Sequence, residues 1–476
     1  MSKAHILSWV TAAMTLWAAT TAWAAWPTGD FLAPPDQVVV IKAGHLYEPK
    51  EGKLLPNQIV IIHGDKIAEV GPGLAVPSGA KVIDLSSATV MPGMTDAHVH
   101  INILLSTTRE DERTPTQRAL WALRMAQVHL NAGFTTIFDL DTRDGSFFDV
   151  DLRDMIDAGV VQGPRMQVVG AAINPRDKSY SRDYGYGTFP LRPEEKNITG
   201  PWALRAAVRE AKAHGVDYIK IFGTDDFAGR NGLWGDDGSF NPHFELTLEE
   251  VQAVVDEAHR LGLKVACHSY DGTSKDPCLV GGVDAPNHLV QLDESGIKIM
   301  KEKHLIFEPT LDDIVFFEGN DLKESHGRNS MLKMTEHAVR LAHENGVEIA
   351  FGSAAVIAPG LMEFGPSKDA RVAWAGHQGN QFAIYVKWGL TPAEALRSRA
   401  ARRSIETDGN YLATRFSTRH DKFGKRDENR GGERKPRSVR NRAAGDPDEH
   451  SGHGCQCCRP AATVPRGDDQ RRDAGR

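Results

Sequence analysis

The chain has 476 residues, 41% of them apolar and 25% charged, an ordinary globular composition with room for one large domain and a small one. Its formal charge of −7 is mild and of the wrong sign for nucleic acid or an anionic membrane, and neither is expected as a partner. The five cysteines, Cys267, Cys278, Cys455, Cys457 and Cys458, are too few and too unevenly placed for a disulfide framework.

Lys3 and His5 precede a largely apolar, uncharged run from Ile6 to Ala22, and Ala22-Trp23-Ala24 has the small-x-small form that signal peptidase needs. Residues 1–25 are therefore expected to be a secretory signal peptide, with a periplasmic or secreted destination and no stable membrane anchor after cleavage. The alternative, an uncleaved anchor, would have to span with a run at the short limit, followed at once by Pro27 and Gly29.

Residues 36–87 read as a small β domain, part of a β-sandwich. Gln37–Lys42, Gln58–His63, Lys66–Val70 and Lys81–Leu85 have strand composition, with Gly64-Asp65 and Gly71-Pro72-Gly73 as turns. From residue 88 the pattern becomes strands alternating with helices. The expected strands are Thr89–Met91 leading into His98, then 135–139, 165–169, 217–222, 264–268, 285–289, 305–308 and 348–352. Helical spacing marks 115–131, 201–214, 247–261 and 330–345, and Thr247-Leu-Glu-Glu250 has the form of a capping box. Eight such units fit an α/β fold of the (β/α)8 TIM-barrel type over residues 88–398. In that fold chemistry collects at the C-terminal ends of the strands.

Several residues at those ends suit metal chemistry. His98 and His100 are two apart, so both point to one side of a strand and can reach one ion as neutral imidazoles. Taken alone, His-x-His is a weak signal. Lys220 lies within Tyr218-Ile-Lys-Ile221, where burying an ammonium is costly. Either it pairs with a carboxylate, or its amine takes up carbon dioxide to form a carbamate. His268 and His288 each end a short strand one strand–helix unit apart.

Met91-Pro-Gly-Met-Thr-Asp-Ala-His98-Val-His100 resembles the first-strand signature of the amidohydrolase superfamily. Ala132-Gly-Phe-Thr-Thr136, Gly163-Pro-Arg165, Pro309-Thr-Leu311 and Gly389-Leu-Thr-Pro-Ala-Glu-Ala-Leu396 are similar to its imidazolonepropionase-like and Xaa-Pro-dipeptidase-like branch. The resemblance spans residues 36–398. It implies two divalent metal ions, most simply zinc, with His98 and His100 on one, His268 and His288 on the other, and carbamylated Lys220 bridging. It further implies hydrolysis of an amide or other C–N bond in a small molecule of the dipeptide, N-acyl amino acid or aryl amide type. Self-association into a homo-oligomer stays open, and Asp225 to Asp237 is expected to line the pocket.

The chain departs from that pattern twice. Where the family has an Asp after strand eight, Phe351-Gly-Ser-Ala-Ala355 places Ala354. The implied role of that Asp is to shuttle a proton from the attacking water to the leaving amine, and a methyl group cannot do so. No other residue is a certain catalytic group: Ser353 is a very weak base, and Asp225 and Asp226 are carboxylates that would have to reach the mouth from the loop after strand four. The second departure begins at Arg399. Residues 399–476 hold sixteen Arg but only Ile405, Leu412, Val439 and Val464 among the branched aliphatics, which cannot build a core. The tail reads as disordered or as the product of a frameshift, leaving the sandwich incomplete. A catalytically impaired or inactive amidohydrolase-like protein is the alternative reading.

Overall fold

The structure is a computed structural model that describes residues 29–102, 114–142, 146–173, 198–224, 239–311, 331–355 and 376–398. The expected signal peptide, the pocket loop with Asp225 and Asp226, and the Arg-rich tail with Cys455, Cys457 and Cys458 lie outside the described residues.

The N-terminal region is a four-stranded sheet of order β3-β2-β1-β4, made of β1 (Val38–Glu48), β2 (Lys53–His63), β3 (Lys66–Pro72) and β4 (Lys81–Val90). β1 pairs antiparallel with β2 and parallel with β4. All four strands run further than their composition suggested. Thr89 and Val90 pair with His45 and Leu46, so they close β4 and do not open the barrel-type region. The first strand of that region is β5 (Met94–Val99). Among the described residues this sheet has one layer. Ile67, Val70, Val82 and Ile83 are 66%, 49%, 43% and 38% exposed, an unusual load of apolar surface on two strands.

After β5 the expected alternation appears. α1 (Pro115–Asn131), β6 (Phe134–Asp139), α2 (Phe148–Asp157), β7 (Arg165–Val168), α3 (Pro201–His214) and β8 (Tyr218–Phe222) come first. α4 (Leu248–Arg260), β9 (Lys264–Ser269), α5 (Pro277–Gly281), β10 (Ala285–His288), α6 (Glu294–Lys303), α7 (Met331–Glu344), α8 (Gln381–Lys387) and α9 (Pro392–Ser398) follow. Local chemistry explains the helix starts. Thr114 and Gln117 form a capping box at α1, and Thr247 and Glu250 form another at α4. Each box satisfies two N–H groups that would otherwise lack partners. Glu249 and Glu250 open α4 while His259 and Arg260 close it, as the helix dipole favours.

The strands are parallel. β5-β6-β7 form one sheet and β8-β9-β10 another. Parallel bridges join Ile173 to Ile221, Asn287 to Glu308, Phe307 to Ile349, and Ala355 back to Val99. The segments expected as strands seven and eight therefore take part as bridges around Phe307 and Ile349. Buried parallel strands should be apolar along their whole length, and β8 is buried at all five positions. The result is a TIM-barrel-like α/β domain.

The end of this domain away from the His residues is locked by a buried ion pair. Arg153 donates to Asp217 at 2.7 Å and Asp217 also accepts from the Val168 N–H at 3.1 Å. Among the described residues a disulfide joins Cys267 to Cys278, with 6.2 Å between Cα atoms. Spacing alone did not pair these two cysteines. The bridge ties the end of β9 to α5. The N-terminal sheet reaches the same domain through the Tyr47 hydroxyl, which donates to the Ala393 carbonyl of α9 at 3.2 Å.

Candidate metal centre

Four strand ends bring the expected residues together. His98 lies in β5 and His100 directly follows its last residue, Lys220 lies in β8, His268 in β9 and His288 in β10. All five are at most 5% exposed. The Nε2 atoms of His98 and His100 are 3.2 Å apart. Ring centroids are 4.3 Å apart for His268 and His288, and 5.3 Å for His98 and His288. Burial first, then the charge of Lys220 and the neighbouring imidazoles, holds the His98 imidazole well below its usual pKa. It is therefore neutral, the form that binds a cation.

These residues fit a metal. Two Nε2 atoms bound tetrahedrally to one zinc ion at about 2.0–2.1 Å would lie about 3.3 Å apart, close to the observed spacing. Among the described residues no three His, Cys, Asp or Glu side chains already surround one point. A design with two imidazoles per ion and a shared lysine carbamate does not need such a trio, because the third donor comes from the modified lysine.

Lys220 makes one contact with a neutral group. Its Nζ donates to Asn287 Oδ1 and lies 5.7 Å from the Phe222 ring. Asn287 Nδ2 in turn donates to Glu308 Oε2 at 2.7 Å, and the same oxygen is 2.8 Å from His98 Nδ1. Sequence reasoning passed over both Asn287 and Glu308. A signal was present: Glu308 follows Leu305-Ile-Phe307 and precedes Pro309, a carboxylate at the end of an otherwise apolar strand segment. Burial raises the Glu308 carboxyl well above its ordinary range, and the Lys220 charge opposes this.

Asp96 has a structural part. Its Oδ1 accepts from the Ser353 N–H at 2.9 Å and the His98 N–H at 3.2 Å, while Oδ2 accepts from the Ser353 hydroxyl at 2.6 Å. It clamps β5 to the segment before Ala354. Burial raises its pKa to about 7, against the pull of the three hydrogen bonds.

Ala354 sits beside the cluster. Its N–H donates to the His98 carbonyl at 2.7 Å and its residue is 1% exposed. Its φ is 52°, as are 70° at His288, 42° at Leu289 and 45° at Thr310 all positive. Non-glycine residues rarely adopt this region, Asn and Asp being the better tolerated, and such outliers gather at functional sites. Ala354 thus occupies a backbone conformation suited to an aspartate. Ser353 cannot readily replace that aspartate, since its hydroxyl is already committed to Asp96.

Similarity to known proteins places the chain in a family. The model of the Amidohydrolase family matches residues 89–398. Ochratoxinase from Aspergillus niger is 26% identical over 399 residues, covering 77% of this chain and 75% of that protein. A solved Xaa-Pro dipeptidase with methionine bound in its active site aligns at TM-score 0.62 and 26% identity, over 78% of this chain and 88% of that one. Molinate hydrolase aligns at TM-score 0.65 over 78% and 86%, but at 20% identity, a likeness of fold alone.

Proposed function

We propose that this chain, which belongs to the amidohydrolase family and is an enzyme hydrolysing carbon–nitrogen bonds, cleaves the amide of a small molecule at a centre for two divalent ions. His98 and His100 would hold one ion and His268 and His288 the other, and Lys220, as a carbamate, would supply a ligand to both. The lysine amine adds to carbon dioxide, forming an N–C bond and releasing a proton. When bound, the ions lower the pKa of a water and polarise the substrate carbonyl. Zinc suits the imidazole-rich donor set. The observation that carries the reading is the convergence of four buried imidazoles and one buried lysine at neighbouring strand ends, with two Nε2 atoms 3.2 Å apart.

The substrate is of the dipeptide, N-acyl amino acid or aryl amide type. Support comes from the relatives, one named as an ochratoxinase and one as a Xaa-Pro dipeptidase. The reading includes a complete (β/α)8 barrel, which the bridges between strands support, with the N-terminal sheet as one layer of a sandwich. The protein is exported, to the periplasm or outside the cell. The Cys267–Cys278 disulfide supports an oxidising destination.

Specific observations favour a second reading, in which the centre binds metal but turns over poorly. Ala354 provides no proton carrier, and Ile67, Val70, Val82 and Ile83 lie open where a second sandwich layer would cover them. Metal analysis and a panel of Xaa-Pro dipeptides, N-acyl amino acids and aryl amides separate the two. The leading reading expects two ions per chain and metal-dependent hydrolysis by the chain as it stands. Two ions with hydrolysis only after Ala354→Asp selects the impaired enzyme. A chain that takes up no divalent metal sinks both.

A further inference from the structure

We infer that Glu308 is the positioning carboxylate of the metal site, holding His98 directly and Lys220 through Asn287, and that Gly352 is a glycine in order to admit it. The inference rests on the two-ion reading above. An imidazole offers its Nε2 lone pair to a cation only when its proton sits on Nδ1. That proton needs an acceptor, and Glu308 Oε2 is 2.8 Å from His98 Nδ1. Metal-ligating histidines are commonly oriented in this way by a carboxylate on the far nitrogen, which also raises their basicity. The ring so held turns its Nε2 to within 3.2 Å of the His100 Nε2.

The same carboxylate reaches the other ligands. Its Oε2 takes the Asn287 Nδ2–H at 2.7 Å, which fixes the amide so that Oδ1 faces the Lys220 amine. Its backbone carbonyl accepts the His288 N–H at 2.8 Å. One residue therefore registers His98, Lys220 and His288 against one another. The cavity beneath it is lined mainly by apolar residues, among them Ala97, Phe138, Ala266, Ala285 and Ile306. A carboxylate buried there is costly unless its partners need it.

Gly352 supplies an independent observation. A Cβ at that position would lie 2.1 Å from Glu308 Oε1 and 2.4 Å from its Cδ, well inside van der Waals contact. Its backbone is outside the left-handed region, so the glycine serves space and not conformation. The space is filled by the carboxylate.

The test uses the full chain, zinc and a competing chelator, with Glu308→Gln, Glu308→Leu and Gly352→Ala. Loss of such an outer carboxylate typically weakens metal binding by about 10–100-fold. Glu308→Leu is expected to show that loss, and Glu308→Gln a smaller one, since an amide oxygen still accepts the Nδ1–H. Gly352→Ala should match Glu308→Leu, yet add nothing further in a Glu308→Ala background where the space is free. In the zinc-free protein the Nδ1–H proton resonance of His98, assigned by its absence in His98→Asn, should vanish in Glu308→Leu and persist in Glu308→Gln. A merely structural role would leave that resonance and the affinity ranking unmoved. Wild-type zinc affinity in folded Glu308→Gln and Gly352→Ala overturns the inference and leaves the two-ion reading standing. A wild-type chain without zinc overturns both.

Discussion

Two parts of the same strand-end rim differ in what they keep. The ends of β5, β8, β9 and β10 hold four imidazoles and a lysine in burial, with a supporting shell of Asn287, Glu308 and Asp96. The segment that bridges Val99 keeps the backbone of a functional end, a left-handed turn against His98, but carries the methyl of Ala354. The contrast separates two tasks. Holding cations needs a rigid, many-membered set in which each residue is packed by the next. Moving a proton needs one side chain, and it can be lost without disturbing the fold that presented it.

The largest effect should come from the intact side of the rim. Lys220→Ala removes the proposed bridge, and both the second ion and all metal-dependent amide hydrolysis are expected to go, read by metal content and by turnover. Persistence of two ions per chain would break the assignment of Lys220. Next is Ala354→Asp. A restored acid–base group is worth about 10²–10⁴ in kcat, and the φ of 52° already suits aspartate. An unchanged kcat would mean that the methyl position is not where the proton passes.

Ser353→Ala sharpens the same contrast. If Ser353 serves only to clamp Asp96, thermal unfolding should show a loss of about 1–3 kcal/mol with kcat unchanged in the Ala354→Asp background. A matching fall in kcat would give Ser353 a share in proton transfer. Away from the rim, His129 is buried between α1 and the turn at Gln378, and burial lowers its pKa to about 3. The folded state therefore refuses a proton that the unfolded chain accepts below its ordinary value near 6.5. Its contribution is fully present above about pH 6.5 and lost as the pH falls toward 3, by at most about 1.4 kcal/mol per pH unit. His129→Asn should flatten the slope of denaturant midpoint against pH across that window. The smallest effect is at the α4 start, where Thr247→Ala should cost about 1 kcal/mol in unfolding free energy and leave metal binding alone.

Much of the fold was legible because its signals are local. The helices at 115–131 and 201–214 have the expected bounds, and Thr247 caps α4. Apolar periodicity, proline at the first turn and capping pairs act within a few residues, so the chain carries them openly. Thr89 and Val90 misled because a strand's composition does not say which sheet it joins. Their pairing with His45 and Leu46 lies more than forty residues away. Cys267 and Cys278 stayed unpaired on paper for a related reason: an eleven-residue spacing permits a disulfide but does not bring β9 onto α5.

The sequence by itself determined the type of the domain, the alternation of strand and helix, and the identities at His98, His100, Lys220, His268, His288 and Ala354. Residue type and spacing suffice there, since side chains two apart on a strand share a face and successive strand ends of a parallel α/β domain share a rim. Only the tertiary structure decided that Glu308 lies under His98, that Asn287 stands between it and Lys220, and that Gly352 makes the room. Those relations join residues up to 210 positions apart. They exist only once parallel packing has brought distant strands side by side.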